Sequence, residues 1–282
     1  MSNIAESLDK AAAILFSAEI ANPRRETASL LCFALGKDRA FLIAHPEHEL
    51  NRDEAESFDS VVKRRANREP FHHITGVKEF YGLDFVVSPD VLIPRPETEM
   101  LVAKSIKILS HIDKPVFCEI GVGSGCIAIS ILHHLLSATA VGLDISEAAV
   151  AIASRNATNH DVQERLRLVN SDIFGGLNHQ SFDLIVSNPP YIPVEDIAGL
   201  QPEVKDFEPH LALTDGAGGL SVIEKILRKS PRFLKSGSPL VMEIGIGQAG
   251  AVRAMFDPDL WRSVEIVPDF QAIPRMVCAV LV

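Results

Sequence analysis

Residues 115–132 constrain the fold of this chain more than any other segment, because an apolar run, a glycine-rich turn and a helical stretch follow one another there. Residues 115–120 (Pro-Val-Phe-Cys-Glu-Ile) predict a buried strand, residues 121–125 (Gly-Val-Gly-Ser-Gly) a sharp turn, and residues 126–132 the start of a helix. A strand, a glycine turn and a helix in this order form the first unit of a doubly wound sheet, whose ligand binds at the carboxyl ends of the strands. Glycine permits the turn and a close approach of the backbone to a ligand. The sequence therefore predicts a Rossmann-like α/β domain with a ligand site at this turn.

Acidic residues follow the next two predicted strands. Residues 138–143 form an apolar run that ends at Asp144, about 20 positions after the glycine turn, where a carboxylate can bind the diol of a ribose. The third predicted strand leads into Asp172 and Ile173, where the edge and the face of an adenine could be held. Taken singly, each acid could instead cap a helix, and this is the favoured interpretation of Asp172 alone.

The fourth predicted strand, residues 182–187, ends in Asn188, Pro189, Pro190 and Tyr191. Proline fixes its own φ, lacks a backbone donor and restricts the residue before it, so this turn is rigid and its carbonyl groups are free to accept hydrogen bonds. The side-chain oxygen of Asn188 and the carbonyl of Pro189 offer two acceptors to one planar NH2 group, and Tyr191 can lie against its flat face. The turn predicts a pocket for an amide or an aryl amine, although such a turn alone is also compatible with a structural role.

These motifs arrive in order at the ends of four successive predicted strands, and together they fit a site for S-adenosylmethionine with a nitrogen acceptor beside it. An NAD-dependent oxidoreductase is disfavoured, because Cys126 occupies the position of the third glycine of a dinucleotide fingerprint. A non-catalytic binding protein is disfavoured because both Asp144 and Asn188 are present. The remaining alternative is a methyltransferase that acts on an exocyclic amine of a nucleic-acid base flipped out of its stack.

Several segments resemble the HemK/PrmC family of class I methyltransferases. The segments that carry the resemblance are residues 69–76 (Glu-Pro-Phe-His-His-Ile-Thr-Gly), 79–83 (Glu-Phe-Tyr-Gly-Leu), 92–99 (Leu-Ile-Pro-Arg-Pro-Glu-Thr-Glu), 215–220 (Asp-Gly-Ala-Gly-Gly-Leu) and 242–245 (Met-Glu-Ile-Gly). The resemblance covers essentially the whole chain. It implies methylation of the N5 nitrogen of the glutamine in the Gly-Gly-Gln loop of peptide chain release factors. Val122 departs from the small hydroxyl residue common at its position, and Ile173 from the Trp of some relatives.

The resemblance also implies a fold and a set of site residues. The expected fold is a class I S-adenosylmethionine-dependent methyltransferase, a mainly parallel sheet with an antiparallel last strand. The last two apolar runs, residues 263–267 and 276–282, are close enough to form a hairpin-like pair. The expected cofactor-binding residues are Gly121, Val122, Gly123, Ser124, Gly125, Asp144, Asp172, Ile173 and Asn188. The expected substrate-binding residues are Asn188, Pro189, Pro190 and Tyr191, of which Asn188, Pro189 and Tyr191 are the expected catalytic residues.

The expected chemistry is the positioning of a weak nucleophile. A carboxamide nitrogen is a poor nucleophile because its lone pair is delocalised, whereas the sulfonium of S-adenosylmethionine already activates the methyl group. Acceptors at Asn188 and Pro189 can hold both N–H bonds of the amide and favour the positive charge that develops on its nitrogen. Glu243 follows a further apolar run, and could lie at the edge of this site or be a solvated acid at a strand end.

Composition excludes several other classes of protein. The formal net charge of −10 and the absence of a basic segment with interleaved aromatic residues argue against a nucleic-acid substrate. The four cysteines lack Cys-x-x-Cys spacing and indicate reduced thiols of a cytosolic protein (Cys32, Cys118, Cys126 and Cys278). No cluster has metal-ligand spacing, the start of the chain lacks a signal-peptide pattern, and no apolar stretch is long enough to span a bilayer. We therefore expect a cytoplasmic, monomeric enzyme without a metal, a membrane or a direct nucleic-acid requirement.

The predicted secondary structure divides the chain into three parts. Residues 1–72 predict a small all-α domain without catalytic groups, which we expect to recognise a macromolecular substrate. Residues 73–94 predict a β-hairpin linker that turns at Gly82 and the two residues after it. Residues 95–282 alternate helices and strands, which predicts a mainly parallel sheet with helices on both faces, the methyltransferase domain.

Caps mark the expected helix boundaries in residues 1–72. Asn22 followed by proline predicts a helix start, and Gly36 a helix stop. Asp38 and Asn51 predict the starts of two further helices. The second of these ends in a basic cluster, for which a solvated helix end is favoured over contact with an acidic partner (Lys63, Arg64, Arg65 and Arg68).

Overall fold

The computed structural model describes residues 2–178 and 180–282, and the chain forms two compact units. The first unit contains the chain up to Gly76 together with Gln201–Phe207, and the second contains Val77–Leu200 and Glu208–Val282. The helices are α1 (Ile4–Ser17), α2 (Pro23–Leu35), α3 (Arg39–Ala44), α4 (Arg52–Ala66), α5 (Phe71–Thr75), α6 (Glu99–Leu109), α7 (Cys126–His134), α8 (Glu147–Asn159), α9 (Pro202–Lys205), α10 (His210–Leu213), α11 (Ser221–Lys229) and α12 (Ala249–Ala254). The strands are β1 (Val77–Phe80), β2 (Leu83–Val86), β3 (Val116–Ile120), β4 (Thr139–Asp144), β5 (Leu166–Asn170), β6 (Leu184–Ser187), β7 (Pro239–Glu243), β8 (Trp261–Pro268) and β9 (Pro274–Leu281).

The two units differ from the three parts that the sequence predicts, and residues 77–94 of the expected linker belong to the second unit. The expected boundary after residue 72 falls inside α5, which ends at Thr75 and is capped by Gly76 with a left-handed backbone (φ +73°). The segment Gln201–Phe207 joins the first unit although it lies far along the chain. No local sequence pattern predicts that this segment belongs to the first unit, because its position depends on contacts with residues that are distant in sequence.

The first unit is a helical unit whose apolar side chains form one core, in which Leu15, Leu30, Leu31 and Phe58 are among the most buried. Its predicted helix starts and the stop at Gly36 are confirmed, but Asn22 precedes α2 without a side-chain cap hydrogen bond. α2 runs from Pro23 to Leu35, and Gly36 follows it with a left-handed backbone. Asp38 accepts a hydrogen bond from the Phe41 N–H, and Asn51 forms a capping box with Glu54, which orders the starts of α3 and α4.

The basic end of α4 is not simply solvated, and the expectation is wrong for Arg65. This side chain is only 5% exposed, and its guanidinium pairs with the carboxylates of Glu26 and Glu203. Arg68 donates to the other oxygen of Glu203 at 2.7 Å. A buried arginine requires such partners because an unpaired buried charge is very costly. Gln201–Phe207 is thus held in the first unit by the pairing of Glu203 with two arginines.

The second unit contains a seven-stranded sheet with the order β5-β4-β3-β6-β7-β9-β8. β3 pairs in parallel with β4 and β6, and the parallel arrangement continues outward to β5 and β7. β9 runs antiparallel to both of its neighbours in this sheet, β7 and β8. The predicted fold of a class I S-adenosylmethionine-dependent methyltransferase, with its antiparallel last strand and terminal strand pair, is confirmed. The strand order reverses between β3 and β6, which is where doubly wound sheets bind ligands.

β1 and β2 form the predicted hairpin, and its turn lies one residue earlier than expected. Tyr81 and Gly82 both have positive φ (54° and 77°), as a two-residue hairpin turn requires. The buried side chain of Asn156 on α8 accepts from the Val86 N–H and donates to the carbonyls of Val86 and Ser124. These hydrogen bonds connect the hairpin to α8 and to the glycine turn.

None of the described helices has the length and apolar content that crossing a lipid bilayer requires.

Candidate active site

A cavity of about 670 Å³ lies in the second unit, at the carboxyl ends of β3, β4 and β6 and in the loop that follows β5. Cavities of roughly 300–1,000 Å³ are the size that holds small-molecule ligands and cofactors. The sequence-predicted residues that line it are Gly121, Val122, Gly123, Ser124, Asp144, Asp172, Ile173, Asn188, Pro189 and Pro190. Two others, Gly125 and Tyr191, are not among the described residues of the lining. The four motifs therefore meet at one place in the fold.

The glycine turn is drawn toward β4 by backbone hydrogen bonds. The N–H groups of Gly121 and Val122 both donate to the carbonyl of Leu143, at 2.8 and 3.0 Å. Gly125 has a φ of +83°, and a Cβ at this position would lie 2.7 Å from the Ile129 side chain. The left-handed backbone favours glycine at this position, which explains the place of Gly125 in the motif although it does not line the cavity.

Asp144 lies at the end of β4 with both carboxylate oxygens already engaged. One oxygen accepts from the Gly123 N–H at 2.8 Å and the other from the Ser146 N–H at 2.9 Å. Ser146, and not Asp144, caps α8. Since a carboxylate has about four acceptor positions, Asp144 retains the capacity to accept a further hydrogen bond from a ligand. Burial raises the pKa of Asp144 above its ordinary value, although the hydrogen bonds from the backbone oppose this effect.

The segment after β5 forms a tight turn whose conformation is unusual for its residues. Asp172 is exposed, and residues 173–176 form a turn and not a helix, so the helix-cap interpretation of Asp172 is wrong. Ile173 is buried with a φ of +55°, a left-handed conformation that β-branched residues rarely adopt. Ser171 holds this backbone in place by donating to the Ile173 carbonyl and accepting from the Gly176 N–H. Such strain clusters at ligand sites.

The amide of Asn188 has a defined partner. Its Nδ2 group donates to the Thr98 hydroxyl oxygen at 3.2 Å, and the Thr98 hydroxyl in turn donates to Glu243 Oε2 at 2.7 Å. Pro189 is buried and Pro190 is half-buried. Tyr191 donates its hydroxyl to Glu243 Oε1 at 2.9 Å. Both ends of the Asn-Pro-Pro-Tyr turn are thereby connected to one carboxylate.

Glu243 is 2% exposed, so the interpretation as a solvated strand-end acid is wrong. Burial raises the pKa of its carboxyl above the ordinary value, and the hydrogen bonds from Thr98 and Tyr191 act in the opposite direction. Burial also raises the pKa of the Tyr191 hydroxyl, and the neighbouring Glu243 adds to that effect. Tyr191 therefore remains protonated and serves as a donor to Glu243.

Glu119 is a site residue that the sequence analysis missed. It lies at the end of β3, lines the cavity and is 1% exposed. Its Oε2 accepts from the Ala128 N–H at 2.8 Å, in the first turn of α7. Burial raises the pKa of this carboxyl well above its ordinary value. An acid inside an otherwise apolar strand was the signal that could have identified it, because charged residues are rarely buried without a role.

Arg95, within the segment that carries the family resemblance, also lines the cavity. Its guanidinium donates to both oxygens of Glu208, at 2.7 and 2.8 Å, and Glu208 is 4% exposed. In the same segment Glu99 accepts from the Tyr81 N–H of the hairpin. The segment therefore connects the wall of the cavity to the hairpin and to the loop after the Asn-Pro-Pro-Tyr turn.

Residues 215–219 form a loop that packs against the backbone of Tyr191. Asp215 accepts hydrogen bonds from the N–H groups of Ala217, Gly219 and Ser221, and although burial alone would raise its pKa, these bonds lower it to about 2. At Gly219 φ is +77°, and a Cβ there would lie only 2.1 Å from the Tyr191 carbonyl oxygen. Gln248 donates to the same carbonyl at 2.8 Å. At Gly219 this loop contacts the Asn-Pro-Pro-Tyr turn so closely that there is no room for a side chain.

In the described part of the chain, no group of three or more His, Cys, Asp or Glu side chains could hold a metal ion.

Comparisons with known proteins agree with this geometry. Residues 6–76 match the family described as the PrmC N-terminal domain, and residues 100–198 match the methyltransferase small domain. The chain is 44% identical to the release factor glutamine methyltransferase of Geobacter sulfurreducens, over 97% of this chain and 95% of that protein. It is 38% identical to the protein of the same name from Koribacter versatilis, over 96% of each.

Solved structures share the fold at low identity. The catalytic domain of hMettl16 matches with a TM-score of 0.59 and 14% identity, over 86% of this chain and 91% of that one. A methyltransferase from Pyrococcus furiosus matches with a TM-score of 0.51 and 18% identity, over 72% of this chain and 91% of that one. These likenesses show the fold alone. On the strength of its full-length relatives, the chain belongs to the family of release factor glutamine methyltransferases.

Proposed function

We propose that the chain transfers the methyl group of S-adenosylmethionine to the side-chain amide nitrogen, N5, of the glutamine in the Gly-Gly-Gln loop of peptide chain release factors. The names of the full-length relatives support this substrate. The observation that carries the chemistry is the orientation of Asn188. Because its NH2 group is bonded to Thr98, its oxygen is the group left to accept from a substrate amide at the cavity wall.

The cavity residues fit the proposed cofactor. The ribose diol would be held by Asp144, which lies beside the glycine turn and can accept a further hydrogen bond. The adenine would lie on Asp172 and Ile173. The methionine part would lie along Asn188 and the residues of the glycine turn that line the cavity (Gly121, Val122, Gly123 and Ser124). Glu119 accepts a single hydrogen bond from the described residues, so its other oxygen is available to the cationic ammonium group of the cofactor. S-adenosylmethionine supplies an already activated methyl group.

The residues of the turn would position the amide and stabilise its developing charge. Asn188 Oδ1 and the Pro189 carbonyl would accept hydrogen bonds from the two N–H groups of the substrate amide. Pro190 would keep the turn rigid, and Tyr191 would restrict the orientation of the amide plane. Effective concentrations of well-oriented groups reach about 10⁵ M or more, so positioning alone can lower the barrier substantially. Acceptors fixed before the reaction stabilise positive charge on nitrogen without reorganisation. No general base is needed before the methyl transfer, since the proton can leave the cationic product.

We further propose that the first unit recognises the protein substrate, as the sequence analysis expects of residues 1–72. The support is the match of residues 6–76 to a domain found in this family and the absence of the proposed site residues from this part of the chain. A cytoplasmic location and a monomeric state belong to the same proposal. The free cysteines are consistent with a reducing compartment.

The test is to incubate the protein with labelled S-adenosylmethionine and either a purified release factor, the same factor with the Gly-Gly-Gln glutamine replaced by alanine, or ribosomal and transfer RNA. We expect label in the first substrate and none in the other two. Label in RNA would instead favour an exocyclic-amine methyltransferase. Label in the alanine variant would show that a different residue is modified.

A further inference from the structure

Glu243 connects the two ends of the Asn-Pro-Pro-Tyr turn, although it lies on a different strand. Its Oε2 accepts the Thr98 hydroxyl at 2.7 Å and its Oε1 accepts the Tyr191 hydroxyl at 2.9 Å. Thr98 and Glu243 are each 2% exposed, so no bulk solvent competes for these hydrogen bonds. A buried polar group of this kind holds its partners in one arrangement, since any other leaves a polar atom unpaired.

The direction of these hydrogen bonds decides which end of the Asn188 amide meets Thr98. A hydroxyl has one proton, and Thr98 donates it to Glu243, so the Thr98 oxygen can only accept from a further partner. Only the NH2 end of Asn188 can donate, and this end lies 3.2 Å from Thr98. The opposite orientation would place two acceptors against each other. The amide is therefore held with Oδ1 away from Thr98.

We propose that Thr98 and Glu243 are positioning residues, which fix the orientation of the Asn188 amide and the place of Tyr191 for methyl transfer; this inference rests on the proposed function. Thr98 lines the cavity, whereas Glu243 is not among the described residues of its lining. Thr98 acts through Asn188, and Glu243 acts both through Thr98 and on Tyr191. Without them the hydrogen bond that distinguishes the two ends of the Asn188 amide is lost, and the amide can present an NH2 group where an acceptor is required.

Glu243, Thr98 and Asn188 form a relay of hydrogen bonds. Thr98→Val interrupts this relay with little change in shape, because it replaces the hydroxyl by a methyl group. Its matched partner is Thr98→Ser, which keeps the hydroxyl. We expect Thr98→Val to lower kcat by roughly 10–100-fold, as a misplaced positioning group does, with KM for the release factor and Kd for the cofactor nearly unchanged. Thr98→Ser should retain most of the turnover. Equal activity of wild type and Thr98→Val, or equal losses in the valine and serine variants, would overturn the inference.

Glu243→Ala tests the other part of the relay. Since Glu243 reaches Asn188 through Thr98, Thr98→Val should add little to the loss of kcat in the Glu243→Ala background. Fully additive losses would show two independent roles and contradict the relay. Cofactor Kd, measured by calorimetry on each variant, reports whether the site is still folded.

A readout independent of turnover separates this inference from the proposed function. In ¹⁵N NMR spectra, the side-chain NH2 signal that disappears in Asn188→Ala belongs to Asn188. We expect Thr98→Val to move this signal and Thr98→Ser to leave it in place. If the wild type methylates no release factor, the proposed function fails, and this spectrum alone decides the inference. A signal unaffected by Thr98→Val would show that the amide is not held by Thr98.

Discussion

In the proposed mechanism, Asp144 and Asn188 act through the hydrogen-bonding positions that their protein neighbours do not occupy. The oxygens of Asp144 each accept one backbone N–H, and the NH2 group of Asn188 is bonded to Thr98. Both residues could be predicted, because they follow strands whose carboxyl ends meet at one edge of the sheet. Glu243 was a candidate for the edge of the site, but its pairing with Thr98 could not be predicted, because the two residues are 145 positions apart and no local pattern relates them.

Replacing Asp144 by Asn should weaken cofactor binding without unfolding the site. The asparagine keeps the shape but turns one acceptor into a donor, so it loses either a backbone hydrogen bond or a ribose hydroxyl. Hydrogen bonds to a charged group contribute about 1.5–3 kcal/mol, which corresponds to a rise of roughly 10–100-fold in Kd. Calorimetry measures this constant. An unchanged Kd in the folded variant would remove Asp144 from the cofactor site.

The same residue predicts a pH dependence of cofactor affinity. In the proposed site the cofactor hydroxyls bind the ionised carboxylate of Asp144, whose pKa is raised by burial. Affinity should therefore be constant at neutral pH and fall as the pH drops through this raised pKa, beginning above the ordinary range of an aspartate. Kd measured against pH should show this acid limb reduced in Asp144→Asn. An identical limb in both proteins would assign it to another acid, such as Glu119.

Replacing Asn188 by Asp should remove most turnover, although the substitution keeps an acceptor of similar shape. The new carboxylate would face the Thr98 oxygen, whose proton already belongs to Glu243, so two acids would compete for one hydroxyl. Single-turnover rates and cofactor Kd should be measured together. Substantial activity would mean that acceptance from the amide is sufficient. Lost cofactor affinity would make Asn188 a cofactor residue and contradict its role at the substrate amide.

At the scale of elements, the site depends on how closely separate loops fit. The alternation of strands and helices, the hairpin and most helix starts were predictable, since apolar periodicity, turn residues and caps are local features, whereas the antiparallel last strand was expected from the family resemblance alone. The fit of residues 215–219 against Tyr191 was not predictable, because it depends on a contact between backbones. Gly219 lies so close to the Tyr191 carbonyl that a methyl group cannot be accommodated without movement of one loop.

Gly219→Ala should therefore displace the Asn-Pro-Pro-Tyr turn. We expect a lower free energy of unfolding, by about 1–3 kcal/mol for a strained backbone, and a loss of turnover larger than the loss of cofactor affinity. Gly218→Ala is the matched control, because a Cβ at Gly218 has no heavy atom within 4 Å. Chemical denaturation and kcat measure the two effects. Similar values for both variants would show that the contact at Gly219 does not hold the turn.

At the scale of the whole molecule, the loop after the turn belongs to both compact units. The chain leaves the second unit after Leu200, contributes Gln201–Phe207 to the first unit, and returns at Glu208, which is bonded to Arg95 beside the cavity. Within the first unit Glu203 pairs with Arg65 and Arg68. Arg65 and Glu203 are 138 positions apart, so the sequence contained no local signal for this arrangement.

A chain that begins at Ile74 should bind the cofactor normally and methylate a whole release factor poorly, if the first unit recognises the substrate. This deletion also removes the partners of Glu203, which loosens residues 201–207. Full-length Glu203→Gln is the control, because it weakens those pairs alone. The deletion should raise KM for the whole factor far more than Glu203→Gln does. Full activity after the deletion would contradict a recognition role, and equal effects would assign the loss to the loosened segment.

The position of the transferred methyl group tests the central claim most directly. A release factor treated with the full-length protein and S-adenosylmethionine should be digested, and the peptide that contains Gly-Gly-Gln fragmented in a mass spectrometer. We predict a single added methyl group on the side-chain nitrogen of that glutamine, and its near absence when Asn188→Ala replaces the wild type at saturating cofactor. A methyl group on any other residue, or full modification by the Asn188 variant, would contradict the account.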